Sequence, residues 1–260
     1  MIRRLLPALV VSTLVLAACG SAAAPTPPPL DADQVIAKGL ETTGKLQSFH
    51  LSATLDGKAA FLPGGGATSL KGTTLAADVD LAGKQAHATF SAPTLFGLEG
   101  EVIANSEAFY LKTSLSGPKW QKQHAAGTGI PHEVQDPTKA ITDLQAFLGK
   151  DGVEATKLDD VACGEATCYH VRLTIPSSLL DDAAASAGTS ASDIIGDSLS
   201  VDLWFHQADL YLASASTSIG AGDEGTLSVS LELSAFNQPV AIVAPAEGEV
   251  DTSGGGFTLP

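Results

Sequence analysis

The residue best placed for covalent chemistry is Cys19, which ends the stretch LAAC. An apolar segment at residues 5–18 leads up to it, and Arg3 and Arg4 precede that segment. The apolar run is too short to cross a bilayer core of ~30 Å. Together with the basic residues before it and the small residues that precede the cysteine, it is typical of an exported lipoprotein precursor. Two acyl chains on the Cys19 thiol would hold the mature chain stably at a membrane. The alternative is an ordinary secretory signal in which Cys19 has no role.

Cys163 and Cys168 are the other two cysteines, in the stretch VACGEATCYHV. An export signal implies an oxidising compartment, so a disulfide is the first expectation. Segments of alternating polarity flank residues 164–167, which suits a hairpin with the bridge across its turn. The alternative, a metal or redox site, lacks a second pair of ligands and has neither CxxC spacing nor a metal-finger pattern. No metal and no cofactor is therefore predicted.

The six histidines do not form a catalytic pattern. Four of them share the polar positions of alternating segments and read as surface residues: His50, His87, His170 and His206. His124 and His132 lie in a loop, where HEV lacks the second histidine of the HExxH zinc motif. No G-x-S-x-G motif occurs either. The sequence therefore predicts a protein that is not an enzyme, although an enzyme whose catalytic residues converge only in space stays open as a third hypothesis.

The charge balance is strongly acidic, with 29 Asp and Glu against 14 Lys and Arg and a formal net charge of −15. Removal of the signal would take away two arginines. Such a chain is repelled by nucleic acid and by an anionic bilayer surface, so neither is expected to bind it through charge. Hydrophobic residues make up 44% of the chain, which is enough for one large core.

Regular alternation of apolar and polar residues predicts on the order of ten strands, each with one face exposed to solvent. The clearest stretches are SFHLSATL, TTLAADVDLA, CYHVRLTI, SLSVDLWF and TLSVSLELSAF, and further candidates lie at residues 84–92, 94–104, 107–113 and 208–217.

Helices are fewer than strands. Residues 31–46 carry an apolar stripe with Asp31 or Asp33 as the N-cap, and DPTKAITDLQAFLG places Asp136 as cap, Pro137 in the first turn and Gly149 at the end. Short helical pieces follow at residues 177–187 and 192–195. The order of elements predicts an α+β fold, in which a large antiparallel sheet curls and a few helices cover its concave face.

The chain divides into four segments. Residues 1–18 are predicted to be a lipoprotein signal peptide, and residues 19–30 a Pro- and Ala-rich tether that starts at the lipidated cysteine. Residues 31–245 form the single folded domain, and residues 246–260, with GGG near their end, a flexible tail. No second apolar run is long enough to span a bilayer, so Cys19 is the one predicted anchor.

The order of motifs resembles the LppX/LprG family of bacterial lipoproteins. The stretches that carry the likeness, over residues 31–245, are LQSFHLS, FYLKTSLSGPKWQKQ, CYHVRLTIPSSLL, VDLWFHQADLYLASAS and FNQPVAIVAP. The resemblance implies a half-barrel like that of the LolA/LolB carriers, with an apolar cavity between sheet and helices that holds lipid acyl chains. The cysteine pair is not a feature of that family and indicates a distant member.

Candidate cavity residues follow from strand parity and helix stripe, and each could equally be ordinary core. They are Leu75, Val79, Phe90, Phe109, Leu111, Ile141, Leu144, Phe147 and Leu203.

The leading hypothesis is a monomeric, membrane-anchored lipoprotein on the extracytoplasmic side of the cell membrane. It would bind a lipid or glycolipid for transport to or within the envelope, and a membrane lipid transporter would be a further partner. Each methylene group that is buried contributes ~0.8 kcal/mol of binding free energy, so a long acyl chain would bind without a charged residue to hold it. The alternative is an envelope interaction or assembly module with a filled core, which would need an exposed apolar patch or edge.

Overall fold

The computed structural model describes residues 30–59, 68–124, 137–186, 190–220 and 225–251. Residues from Asp31 onward form one compact unit, which contains every described helix, strand and core cluster. The predicted signal peptide and nearly all of the tether, including Cys19, lie outside the described residues. No helix in the described ranges is long and apolar enough to cross a membrane.

Four α-helices are described, and their ends follow the sequence signals. Helix α1 starts after Asp31, whose carboxylate accepts a hydrogen bond from the Gln34 amide at 2.8 Å and so caps the helix. Helix α2 starts at Pro137. Proline suits this position because it has no backbone N–H, and an N–H in the first turn of a helix would have no partner within the helix. The cap predicted at Asp136 lies outside the described residues. The helices are α1 (Ala32–Thr43), α2 (Pro137–Leu148), α3 (Asp181–Ser186) and α4 (Ala191–Ile195).

The sheet has fourteen described strands, five more than the nine candidates that the alternation indicated. The strands are β1 (Ser48–Ala59), β2 (Thr68–Ser69), β3 (Thr73–Asp80), β4 (Gln85–Ala92), β5 (Leu98–Ala104), β6 (Ala108–Thr113), β7 (Trp120–His124), β8 (Glu154–Lys157), β9 (Val161–Cys163), β10 (Ala166–Pro176), β11 (Ser198–His206), β12 (Leu212–Ile219), β13 (Leu227–Ser234) and β14 (Val250–Asp251). The additional strands have two to five residues, near or below the shortest length, about four residues, over which alternation can be recognised.

Two predicted strands begin later than expected because turns occupy their first residues. The strand predicted at 94–104 starts at Leu98, since Pro93 cannot donate to a ladder and Phe96 has a φ of 57°. The strand predicted at 208–217 starts at Leu212, since Leu210 has a φ of 62° in a turn.

The strands form one open, curled sheet in the order β14-β7-β6-β5-β4-β3-β1-β13-β12-β11-β10-β8, while β2 pairs with β1 and β9 with β10. Every pairing is antiparallel except that of β14 with β7, so the sheet is mixed at one edge rather than wholly antiparallel as predicted. The α+β half-barrel with helices on one face is otherwise as the sequence predicts.

Strand register separates an apolar face from a polar face. One transverse row of the apolar face runs through directly paired residues from β10 to β6: Val171, Leu203, Ala215, Leu231, Ala53, Leu75, Phe90, Gly100 and Thr113. Because side chains alternate along a strand, the neighbours of these residues in sequence point to the polar face.

Helix α1 packs on the apolar face at β8, β10 and β12. Gly39 allows this close approach, because a Cβ there would lie 2.4 Å from the Phe205 ring. Phe205, Val171 and, from the helix, Val35 are completely buried. This corner is therefore a dry core between helix and sheet.

The chain after β13 crosses back over the sheet. The Asn237 amide donates to the Ser48 carbonyl at 2.8 Å, and Ile242 and Val250 pack against a buried group on the polar side that includes Tyr110 and Trp120. Residues 246–251, assigned above to the tail, form a 3-10 turn at Glu247–Glu249 and then β14. A flexible tail stays a prediction only for residues 252–260, which lie outside the described ranges.

Candidate functional site

The apolar face is not uniformly covered, and its half-buried part is the candidate site. On β3 to β6, Leu75 lies opposite Phe90, and Leu111 opposite Val102; all four side chains are half-buried. Phe109 lies on the same face and is also half-buried. We call this region, from β3 to β6, the open part of the apolar face.

The opposite region, which we call the sealed part, comprises the buried apolar residues of β10 and of the end of β11, beneath α1. Val171 and Phe205 have no exposed surface there, and Leu203 keeps 7%. Leu203 was predicted as a cavity residue, and the structure places it in this packed core. Val79, another such residue, packs with Leu46, Ala77 and Leu81 in a buried cluster, against which Ala88 of β4 also packs.

The sheet therefore brings together four of the nine predicted cavity residues: Leu75, Phe90, Phe109 and Leu111. Phe147 on α2 is half-buried, with the Lys150 Nζ 5.1 Å from its ring centre. The side chains of Ile141 and Leu144 lie outside the described set. All nine assignments as cavity residues stay predictions.

The open part also contains residues that the sequence reasoning missed. Val102 and Ala88 face each other across β5 and β4, in the same transverse row as Leu111. Their alternation was visible in the sequence, but only the register shows that they adjoin the predicted residues.

Gln121 adds one polar atom to this face. It lies opposite Leu111, and its side-chain oxygen is buried without a hydrogen-bond partner among the described residues. A buried acceptor left unpaired costs roughly 1–3 kcal/mol. An amide or hydroxyl of a bound molecule would remove that cost.

The polar face carries cross-strand pairs of histidine and carboxylate. His50 lies 2.7 Å from Asp78, His87 2.9 Å from Glu101 and His170 2.8 Å from Asp202, with His206 3.6 Å from Asp209 on the adjoining turn. The prediction of four surface-facing histidines on polar strand positions agrees with this arrangement. Their carboxylate partners were not predicted, because pairing depends on register.

Asp202 is the most densely contacted of these carboxylates. Partial burial raises its pKa, but hydrogen bonds from Arg172 and His170 outweigh that effect and leave the pKa below its ordinary value. The Arg172 Nε and one terminal nitrogen each donate to a different carboxylate oxygen, at 3.0 and 3.1 Å. The His170 ring also stacks on Trp204, with ring centres 4.7 Å apart.

A second charged group lies on the polar face of β4 to β7. A hydrogen bond from Lys112 lowers the pKa of Glu101, with a smaller contribution from His87. The Lys112 Nζ lies 2.8 Å from Glu101 and 4.4 Å from the centre of the Trp120 ring. These contacts join neighbouring strands of the polar face, beside the buried Trp120 ring.

Two open grooves follow the polar face. One has a volume of about 810 Å³ and runs across β1 and β3 to β6, where hydroxyl groups predominate among the side chains, with Glu99, Glu101 and Lys112. The other, of about 480 Å³, lies across β11 to β13 beside the Cys163–Cys168 turn.

Cys163 and Cys168 form the predicted disulfide, with Cα atoms 5.9 Å apart across the β9–β10 turn. His206 lies near both sulfur atoms, so that the three potential ligand atoms are within 4.8 Å of one another. Sulfurs bonded to each other are not thiolates, and thiolates are what a metal needs. In this oxidised form the cluster is a crosslink.

Comparisons with solved structures identify the fold. LprF from Mycobacterium bovis superposes with a TM-score of 0.56 and 20% identity, over 83% of this chain and 97% of that chain. The lipoprotein LppX from Mycobacterium tuberculosis superposes with a TM-score of 0.52 and 18% identity, over 80% of this chain and 96% of that chain. The chain has an LppX/LprG-like fold. No protein-family model matches the sequence, and no match was found among curated proteins.

Proposed function

We propose that this protein binds the acyl chains of a lipid or glycolipid against the open part of the apolar face. The observation that carries the proposal is the contrast along one sheet. Apolar side chains stay half-buried at Leu75, Phe90 and Leu111, while the same face is fully packed at Phe205 and Val171. A protein that needed only a core would gain by covering both regions.

Acyl binding suits the chemistry of this face. Removing a methylene group from water contributes about 0.8 kcal/mol, so a long chain gains affinity from contact area alone. On β1 to β6 the charged side chains described above point to the polar face, whereas the side chains of Leu75 and Phe90 point to the apolar face. Gln121 supplies one acceptor, which favours a lipid that carries a hydroxyl or amide donor near its acyl chains.

The proposed setting is the extracytoplasmic side of a membrane, with Cys19 as the acylated anchor and residues 20–30 as the tether. The sequence at Cys19 supports this, and so does the likeness of the folded unit to a lipoprotein. A monomer that carries lipid to or within the envelope is the activity proposed for it.

The test is cargo retention measured by native mass spectrometry on residues 31–260, the compact unit, after incubation with membrane lipid. Ala88→Trp would place a large ring on the apolar face between Ala77 and Val102. Ala76→Trp is the matched control, because Ala76 is a half-buried alanine of the neighbouring strand that points to the polar face.

We expect the wild-type unit and Ala76→Trp to carry a lipid mass that organic extraction removes, and Ala88→Trp to have lost most of it. Circular dichroism would confirm that both variants are folded. If the wild-type unit shows only the mass of the protein without lipid, and this mass is unchanged after incubation, the proposal is overturned and the envelope interaction module is favoured. Equal retention by both variants would move the binding site off the open part.

A further inference from the structure

One end of the sheet displays large apolar side chains in full contact with solvent. Phe96, in the β4–β5 turn, is 95% exposed, and Leu115, in the β6–β7 turn, is 69% exposed. A third exposed residue, Val243, belongs to the segment that follows β13 and not to either turn. Single exposed apolar residues are ordinary, but two on touching turns form a patch.

The turns that carry Phe96 and Leu115 are in contact. The Ser114 hydroxyl donates to the Gly97 carbonyl at 3.4 Å, and the Ser114 amide donates to the Glu99 carbonyl at 2.8 Å. The β2–β3 turn adjoins them, since a Cβ on Gly72 would lie 3.7 Å from the Pro93 ring. We call these three turns, residues 70–72, 93–97 and 114–119, the rim.

The backbone of Phe96 makes its exposure notable. Phe96 and Gly97 are the central residues of a turn closed by a hydrogen bond from the Leu98 amide to the Leu95 carbonyl, and both have positive φ, 57° and 65°. Such turns prefer Asn-Gly, because a bulky side chain is strained at positive φ. A phenylalanine that folding does not bury therefore stands where asparagine would be more stable.

The charge of the rim differs in sign from that of the chain. Lys71 and Lys119 are the only charged residues within these three turns. Both are exposed, and neither forms an ion pair with another described residue. Exposed acidic residues adjoin the turns: Glu99 at the start of β5, and Glu247 and Glu249 before β14, which pairs parallel with β7. The chain as a whole has a net charge of −15. Lysines beside exposed aromatic and aliphatic side chains match the surface of a bilayer, with anionic headgroups above acyl chains.

We propose that the rim docks on the membrane, with Phe96 and Leu115 inserted among the lipid headgroups and acyl chains and Lys71 and Lys119 against anionic phosphates. The contact is separate from cargo binding and from the anchor at Cys19. It would orient the domain with this end of the sheet toward the bilayer.

Vesicle flotation of residues 31–260, which lack the anchor, tests the rim. The vesicles are phosphatidylcholine alone or phosphatidylcholine mixed with phosphatidylglycerol. Phe96→Asn removes the ring and suits the positive φ, so it should not unfold the turn. Val243→Ser is the matched control, because it removes an exposed apolar side chain, 77% exposed, outside the rim.

We expect the wild-type unit to float with both vesicles, and more with the anionic ones. Phe96→Asn should weaken partitioning about tenfold and Leu115→Ser several-fold, with Val243→Ser unchanged. Replacing Lys71 and Lys119 together by alanine should reduce binding only to the anionic vesicles, by about tenfold or more.

Absence of flotation by the wild-type unit at any vesicle concentration would overturn the docking proposal. So would equal binding of Phe96→Asn and wild type, or an equal loss in Val243→Ser. Cargo retention by the same variants is read separately in the mass spectrum, so failure at the rim and failure of the lipid-binding proposal are distinguishable.

Discussion

The sealed and open parts of the apolar face are built from the same alternating pattern and end in different states. In the transverse row that joins them, Val171 and Leu203 on β10 and β11 are buried, whereas Leu75 and Phe90 on β3 and β4 keep contact with solvent. Helix α1 packs at the first end of this row. Burial of a strand residue in this protein therefore depends on which element covers it as much as on its own hydrophobicity.

The largest expected effect compares two phenylalanines, one from each part. Phe205→Ala should lower the free energy of unfolding by about 3–5 kcal/mol, because the ring is fully buried against Gly39 and leaves a cavity. Phe90→Ala removes a half-buried ring and should cost about 1 kcal/mol. Urea unfolding of both variants measures the difference, and equal losses would mean that the open part is packed as tightly as the sealed one.

An intermediate effect is expected at the two glycines that lie beneath these rings. A Cβ on Gly39 would lie 2.4 Å from the Phe205 ring, and one on Gly100 would lie 2.2 Å from the Phe90 ring. In Gly39→Ala the new methyl group should destabilise the fold by about 1–3 kcal/mol, because Phe205 has no room to move. The higher helix propensity of alanine offsets roughly 1 kcal/mol of this loss.

Gly100→Ala should cost less, because the half-buried Phe90 ring can turn away from the new methyl group, and the contact that remains is one of 3.1 Å with the Lys112 carbonyl. Thermal unfolding of the two alanine variants provides the comparison. A larger loss at Gly100 would contradict the distinction between a rigid sealed part and an open part with room.

The smallest effect concerns the polar face and is a pH dependence at Asp202. Its pKa in the folded state lies below the ordinary 3.8, so the ion pair contributes stability above that pH. This stability is lost as the pH falls from about 4 through the lower folded-state pKa. Asp202→Asn should be less stable than wild type at neutral pH, with the gap narrowing as the solution is acidified; a constant gap from pH 6 to pH 2 would contradict it.

Much of the fold could be predicted from local pattern. Alternation identified the long strands, and Asp31 and Pro137 marked the starts of α1 and α2 because caps act within a few residues. The disulfide followed from the export signal and the spacing of Cys163 and Cys168. The strands of two to five residues were missed, as was the late start of β5, where Pro93 and the positive φ of Phe96 outweighed β propensity.

For the candidate site, the sequence predicted only which side of the sheet its residues lie on. Parity placed Leu75, Phe90, Phe109 and Leu111 on one side of the sheet, and the register joins them with Val102. It also placed Val79 and Leu203 on that side, and nothing in their own segments shows that other residues cover them. The histidine–carboxylate pairs depend in the same way on partners up to 32 residues away in sequence.

By itself, the sequence determined which residues can share a face, roughly where the long strands lie, where α1 and α2 begin, and that an acylated cysteine is the expected anchor. These features depend on neighbours within about one turn of helix or one strand. The tertiary structure alone decided which apolar residues are sealed beneath α1, which stay half-buried, and that the turns of Phe96 and Leu115 are in contact. Those outcomes require segments distant in sequence to pack together, and a one-dimensional pattern does not contain that information.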